Sequence, residues 1–194
     1  MAKLYFRYGA MGSSKTANAL MVRYNYIEKG QKVILLKPSI ENRDGYNIIK
    51  SRIGLSAECE LVEELLEKIK QMEKSGGKWN EADVIIIDEA QFLNTEQINE
   101  LARIVDEYHI SVICYGLRTD FTSHLFEGAK RLIELADVIE EIPTICWCGK
   151  KAQFNARVKD GQIARNGEQI EMGGNESYVS LCRKHYMSGK IQRV

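Results

Sequence analysis

Gly9-Ala10-Met11-Gly12-Ser13-Ser14-Lys15-Thr16 is the first stretch of the chain whose residue types and spacing point to chemistry. Except at Ser14 it fits the Gly-x-x-x-x-Gly-Lys-Ser/Thr loop that cradles phosphates. Small residues let backbone N–H groups curl around a phosphate, and the N-terminus of a following helix adds a partial positive charge. Lys15 is then expected to reach the β- and γ-phosphates of a nucleoside triphosphate, with the Thr16 hydroxyl on Mg²⁺. Ser14 stands where the pattern has its second glycine. A Cβ there is expected to crowd the loop, so that Ser14→Gly would improve ATP use.

Two further clusters extend this chemistry. Val84-Ile85-Ile86-Ile87-Asp88-Glu89-Ala90-Gln91-Phe92 reads as a buried strand ending in two carboxylates. In a nucleotide-binding sheet, an acid at such a strand end sits beside the phosphate loop and holds Mg²⁺, a role that fits Asp88. Glu89 is then free to act as a base toward a water or a hydroxyl. The stretch Gly116-Leu117-Arg118-Thr119-Asp120-Phe121-Thr122-Ser123-His124-Leu125-Phe126 adds Leu117, Phe121 and Phe126 to Phe92. Planar apolar walls suit a nucleobase, although spacing alone equally allows the rings to pack beneath their own loop.

Cys146-Trp147-Cys148 and Cys182-Arg183-Lys184-His185 supply three thiols and an imidazole, a set suited to a closed tetrahedral Zn²⁺ site. A site with four protein ligands has no open position, so its expected work is to anchor a module too small for a core of its own. Cys59 and Cys114 read as core thiols, and His109 and His124 as ordinary loop or surface residues.

The elements that must position these groups follow from hydrophobic patterning. Residues 3–8, 32–37, 83–87, 111–115 and 137–142 read as strands, several nearly continuous in apolar character, as in a parallel sheet covered on both faces. Helical patterns follow Ser14 and occupy 60–73, 95–108 and about 123–135, with Thr95 as the expected N-cap of the third. Strand–helix alternation of this kind makes a right-handed α/β sheet. The character changes near Pro143. A boundary is therefore placed there, giving an ATP-binding domain over 1–143 and a loop-rich module over 144–194. Within the module, Lys159-Asp160-Gly161 is an expected hairpin and Gly173-Gly174 a loop signal.

Composition bounds the partners. Lys plus Arg and Asp plus Glu each number 27, so the chain lacks the basic excess of a protein that grips nucleic-acid phosphates. No apolar stretch approaches the roughly 20 residues needed to span a bilayer, and the N-terminal stretch, broken by Arg7, lacks the apolar region of a signal peptide. A cytoplasmic, reducing setting without disulfides is expected. Bottom-up, three readings of the acceptor remain open: a kinase, a motor-like ATPase coupled to nucleic acid, and a zinc-stapled nucleotide sensor.

Taken together, the phosphate loop, Asp88-Glu89-Ala90-Gln91-Phe92, Gly116-Leu117-Arg118-Thr119-Asp120-Phe121 and Cys182-Arg183-Lys184-His185-Tyr186 resemble the type II (bacterial) thymidine kinases in order and spacing over nearly the whole chain. The resemblance implies an α/β fold, a P-loop (RecA-like) parallel sheet flanked by helices, with a small C-terminal zinc-binding lasso module. It implies transfer of the γ-phosphoryl group of Mg²⁺-bound ATP to the 5′-hydroxyl of deoxythymidine, in salvage for DNA synthesis. Glu89 matches the general base. Gly9, Ala10, Met11, Gly12, Ser13, Ser14, Lys15, Thr16, Asp88, Glu89, Ala90, Gln91 and Arg43 match the ATP side, with Thr16 and Asp88 on Mg²⁺. Met11, Phe92, Leu117, Phe121, Phe126 and the lasso tyrosine Tyr178 match the nucleoside side, and Cys146, Cys148, Cys182 and His185 the structural Zn²⁺. A homotetramer and feedback inhibition by dTTP are further implications.

Overall fold

The computed structural model describes residues 1–42, 45–169 and 177–192. In chain order it begins with strand β1 (Leu4–Tyr8), helix α1 (Lys15–Glu28) and strand β2 (Val33–Lys37). A short hairpin of β3 (Ile48–Lys50) and β4 (Ser56–Glu58) follows, then β5 (Glu60–Leu61) and α2 (Val62–Lys74). Next come β6 (Val84–Ile87), a single 3₁₀ turn (Ala90–Phe92), α3 (Thr95–Tyr108), β7 (Ser111–Gly116), α4 (Glu127–Leu135) and β8 (Val138–Glu141).

Among the described residues, six of these strands form one parallel sheet in the order β5-β2-β6-β7-β1-β8. Side chains of a strand alternate between faces, and the apolar run of β6 shows both faces filled. Ile85 and Ile87 point into a core with α2, α3 and α4, built around Leu65, Ile69, Leu101, Ile104 and Leu132. Val84 and Ile86 point the other way, toward Ala19 and Leu20 of α1 and Cys59. Cys114 lies in the first core. The result is a three-layer α/β sandwich.

The remaining elements are β9 (Thr144–Ile145), β10 (Lys151–Ala152), β11 (Phe154–Lys159), β12 (Gln162–Ile163), β13 (Ser177–Leu181) and α5 (Arg183–Ser188). β11 pairs with both β12 and β13 in antiparallel fashion. Asp160 and Gly161, at φ 51° and 74°, make the two-residue turn between β11 and β12, the hairpin expected from their sequence. Ala156, Leu181 and Tyr186 gather with Cys146 and Cys182 in a small core separate from the two above.

Several sequence-based boundaries shift. Glu60 and Leu61 are not helical but pair with Leu36 and Lys37 as a sixth strand at the sheet edge. The expected fourth helix begins only at Glu127, because residues 120–124 are tied into a turn by the Asp120 carboxylate. The N-cap of α3 is Asn94 rather than Thr95. Its side-chain oxygen accepts from Gln97 N at 2.8 Å while the Gln97 side chain accepts from Asn94 N at 2.9 Å, a closed capping box. Thr95 instead donates through its N–H and hydroxyl to Glu127, at 2.7 and 2.8 Å, joining the starts of α3 and α4.

Losing an N-cap side chain costs about 1 kcal/mol. Asn94→Ala is therefore expected to lower the thermal midpoint by roughly 2–4 °C in a chain of this size, measured by calorimetry.

Candidate active site

Parallel strands carry their following loops at one edge of the sheet, and the loops after β1, β6 and β7 meet there. β7 stands between β1 and β6, with Tyr8 level with Gly116 and Ile87 level with Cys114. The acidic strand is thus one strand removed from the phosphate loop rather than directly beside it. The Gly9 N–H donates to Gly116 O at 3.2 Å, and the Asp88 N–H to Leu36 O at 3.0 Å, so both loops leave the sheet from fixed points.

Gly9 has no room for a side chain: a Cβ there would lie 2.4 Å from both Ile142 O and Ser13 Oγ. The loop then turns through Ser14, which sits in the left-handed region at φ 61°, ψ 27° with its side chain exposed. Position 14 therefore carries a conformational demand on its backbone. Lys15 is buried, and its Nζ donates to Gly9 O and Ala10 O at 3.0 Å and to Ser13 Oγ at 3.3 Å. Burial pushes the Lys15 amine below its ordinary pKa, against the pull of the Glu89 and Asp88 carboxylates.

Asp88 is buried at the end of β6, where desolvation and the adjacent Glu89 charge push its carboxyl up to about 7, opposed by a hydrogen bond with Thr16. Thr16 and Asp88 thus place two oxygen groups in contact at the mouth of the loop. That suits Mg²⁺, which takes one or two protein oxygens and completes its shell with phosphate and water.

Glu89 also adopts a left-handed backbone, φ 52° and ψ 34°. Its carboxylate is held by Gln91, whose Nε2 donates to Glu89 Oε2 at 2.6 Å. The other end of the same amide, Oε1, accepts from the Leu117 N–H at 2.9 Å. Gln91 is 1% exposed, and a Cβ at Gly116 would lie 2.7 Å from its Oε1. Glycine at 116 therefore lets one buried amide join the acidic loop to the loop after β7.

These loops enclose a cavity of about 560 Å³. Met11, Gly12, Ser14, Lys15 and Thr16 line one side; Phe92, Leu117, Phe121, Phe126 and Tyr178 line another; Glu89 and Gln91 also face it. Phe92 and Phe126 meet edge to face, 5.7 Å apart at 84°. Phe121 is backed by the Arg157 guanidinium, 3.8 Å from its ring centre, and Arg157 Nε donates to Tyr178 Oη at 2.8 Å. Gly9, Ala10, Ser13, Asp88 and Ala90 stand behind the lining. Arg43 lies outside the described residues, as does the Gly173-Gly174 pair.

The cavity also contains residues to which sequence reading assigned no role: Lys50, Ser51, Arg52 and Ile53 from the β3–β4 hairpin, and Asp120, Asn155 and Gln169. One signal was available. In β11 the alternation of Phe154 and Ala156 with Asn155 and Arg157 describes a strand with one apolar and one polar buried face.

Cys146, Cys148, Cys182 and His185 place their ligand atoms within 4.8 Å of one another. Cys146 Sγ and Cys182 Sγ each lie 3.4 Å from His185 Nδ1, and Cys148 Sγ lies 3.9 Å from Cys182 Sγ. Tetrahedral Zn²⁺ at ordinary bond lengths sets ligand atoms about 3.5–3.8 Å apart, so this donor set fits zinc. Trp147 stacks on the His185 ring at 4.1 Å, closing one side.

The thymidine kinase family model matches residues 2–186. The chain is 48% identical over 190 residues to the thymidine kinase of Lactiplantibacillus plantarum (strain ATCC BAA-793 / NCIMB 8826 / WCFS1), covering 96% of each chain. It is 44% identical over 192 residues to that of Lactococcus lactis subsp. lactis (strain IL1403), covering 98% of this chain and all of that one. A phosphate loop, an acidic strand end and a ring-lined cavity thus occur in a sequence matched from end to end, and the chain belongs to the thymidine kinase family.

Proposed function

We propose that the chain transfers the γ-phosphoryl group of ATP to the 5′-hydroxyl of deoxythymidine, giving dTMP and ADP. The observation that carries this reading is a single cavity with a phosphate loop on one side, three phenylalanine rings on another, and Glu89 facing it. Phosphoryl transfer asks the protein for positioning and charge neutralisation more than for covalent help. Backbone N–H groups at the start of α1 and the Lys15 amine hold the β- and γ-phosphates. Thr16 and Asp88 would hold Mg²⁺, whose chemistry there would be to neutralise the charge that develops on the phosphates.

Phe92, Leu117, Phe121 and Phe126 take the thymine, with Met11 and Tyr178 at its margins. Glu89 accepts the 5′-hydroxyl proton as that oxygen bonds to the γ-phosphorus, and the bond to the β-phosphate oxygen breaks to release ADP. Gln91 aims the Glu89 carboxylate through its hydrogen bond to Oε2. Its other end holds the Leu117 N–H of the nucleoside loop, so positioning is part of its work.

Cys146, Cys148, Cys182 and His185 would hold Zn²⁺ as a closed set of four protein ligands, a structural staple. Tyr186, next to the ligand His185, donates from its hydroxyl to Phe121 O at 2.6 Å, so the staple fixes one wall of the nucleoside pocket. The division at residues 143 and 144 belongs to this reading and is supported by the separate small core. A homotetramer, dTTP as feedback inhibitor and a cytoplasmic setting come with the family resemblance. Among the described residues, no helix is long and apolar enough to cross a membrane.

An ADP-release assay with ATP, Mg²⁺ and a panel of nucleosides tests the assignment. Stimulation by thymidine is expected; stimulation by nucleic acid alone would refute it. In the same assay Glu89→Gln is expected to lower kcat by roughly 10²–10⁴-fold with thymidine binding retained, the range for losing a general base. Stripping the metal with a chelator is expected to abolish thymidine-dependent turnover and expose the Trp147 ring, read as a shift in its fluorescence. Ser14→Gly removes a left-handed side-chain penalty of about 1–2 kcal/mol, against the extra chain entropy of glycine. A thermal midpoint raised by roughly 1–3 °C is expected, with KM for ATP within about twofold, since the strain is already present in the folded loop.

A further inference from the structure

The Met11 peptide of the phosphate loop is gripped from outside its own loop. Asn155 and Ser180 face each other across β11 and β13. Asn155 Oδ1 accepts from the Met11 N–H at 2.8 Å, and the Ser180 hydroxyl donates to the Met11 carbonyl. Asn155 Nδ2 donates to Thr119 O at 3.0 Å, in the loop that carries Phe121. One residue further along the phosphate loop, Gly12 O accepts from Thr144 Oγ1 at 3.2 Å.

Asn155 is 3% exposed. A polar side chain so deeply buried is costly unless both ends of its amide are satisfied. Here the carbonyl end goes to the phosphate loop and the amino end to the nucleoside loop, and neither goes to the sheet that carries the residue. Ser180 lies behind Met11 and is not among the residues lining the cavity, so whatever it does to a ligand it does through the Met11 peptide.

We propose that Asn155 and Ser180 are a pair of positioning residues: together they fix the Met11 peptide and so set the spacing between the phosphate loop and the nucleoside wall. The proposal rests on the reading that this cavity takes ATP and thymidine together. Met11 lies on the border between the two ligands, so a loosened peptide weakens the hold on both.

Ser180→Ala tests this without touching the cavity surface. Loss of one part-buried hydrogen bond predicts a rise of roughly three- to tenfold in KM for both ATP and thymidine. Because a loosened Met11 peptide weakens the hold on the bound ground state and the transition state alike, kcat should stay within about twofold. Ser180→Thr, which keeps the hydroxyl, should return both KM values to within about twofold of the parent. Titration calorimetry with a non-hydrolysable ATP analogue reads the same loosening without turnover, and a Kd weakened by a similar factor is expected. An analogue Kd unchanged in Ser180→Ala would overturn the proposal. So would a collapse of the thermal midpoint in Ser180→Ala, or equal weakening in Ser180→Thr, either of which marks Ser180 as a structural residue only. If the parent chain shows no thymidine-dependent turnover, the functional reading fails and the analogue titration alone decides the role of the pair.

Discussion

Everything at the site depends on where three parallel strands stop. β1, β7 and β6 lie side by side in register, with Tyr8 level with Gly116 and Ile87 level with Cys114. Their burial on both faces allows no slip, because a shift of one residue would turn every core side chain to the wrong layer. The loops that follow are consequently delivered to one edge with little freedom of their own. The Gly9 and Asp88 N–H groups, each bonded to a neighbouring strand's carbonyl, carry that order one residue beyond the sheet. The Gln91 amide then converts strand register into side-chain geometry, holding the Glu89 carboxylate with one end and the Leu117 backbone with the other.

The C-terminal elements complete this edge from outside. Among the described residues, two groups of their bonds reach the site's loops: Asn155, Ser180 and Thr144 on Met11 and Gly12, and Tyr186, Asn155 and Gln169 on residues 119–121. Thr144 precedes the ligand Cys146 by two positions, and Ser180 stands in the same relation to Cys182. The small core of these elements buries too little apolar surface to hold such bonds rigidly by packing alone. The three thiols and one imidazole sit at the root of the strands that reach the loops, which is where a cross-link has most effect.

Local chemistry was readable in the sequence, and relations between distant segments were not. The phosphate loop announces itself through glycines and Lys15-Thr16, the sheet through runs such as Val84-Ile85-Ile86-Ile87, and the metal cluster through its thiols. Asn94 and Thr95 are both good caps by type, and the choice fell to the one whose partner, Gln97, closes a capping box, while Thr95 was drawn off by Glu127 across the fold. The late start of α4 has the same origin, a carboxylate at Asp120 that rewards a turn over a helix. Gln91 stands out only as part of the Asp88–Phe92 motif and Asn155 only through the alternation of β11, and neither signal gives the amide's partners, since its role is set by what the fold brings to its two ends. The β3–β4 hairpin has three-residue strands, too short for periodicity to register.

The backbone at Glu89, held at φ 52° without being glycine, has a consequence for how this molecule tolerates change. A non-glycine residue in that region costs on the order of 1 kcal/mol, and here the cost falls on the acid that faces the cavity. With Glu89 as the proposed base, heat tolerance and turnover rank the twenty amino acids differently at position 89. On that reading, a library sorted only for survival at high temperature would drift toward glycine there and emerge sturdier but inert, so thermostabilising campaigns should freeze this codon from the outset.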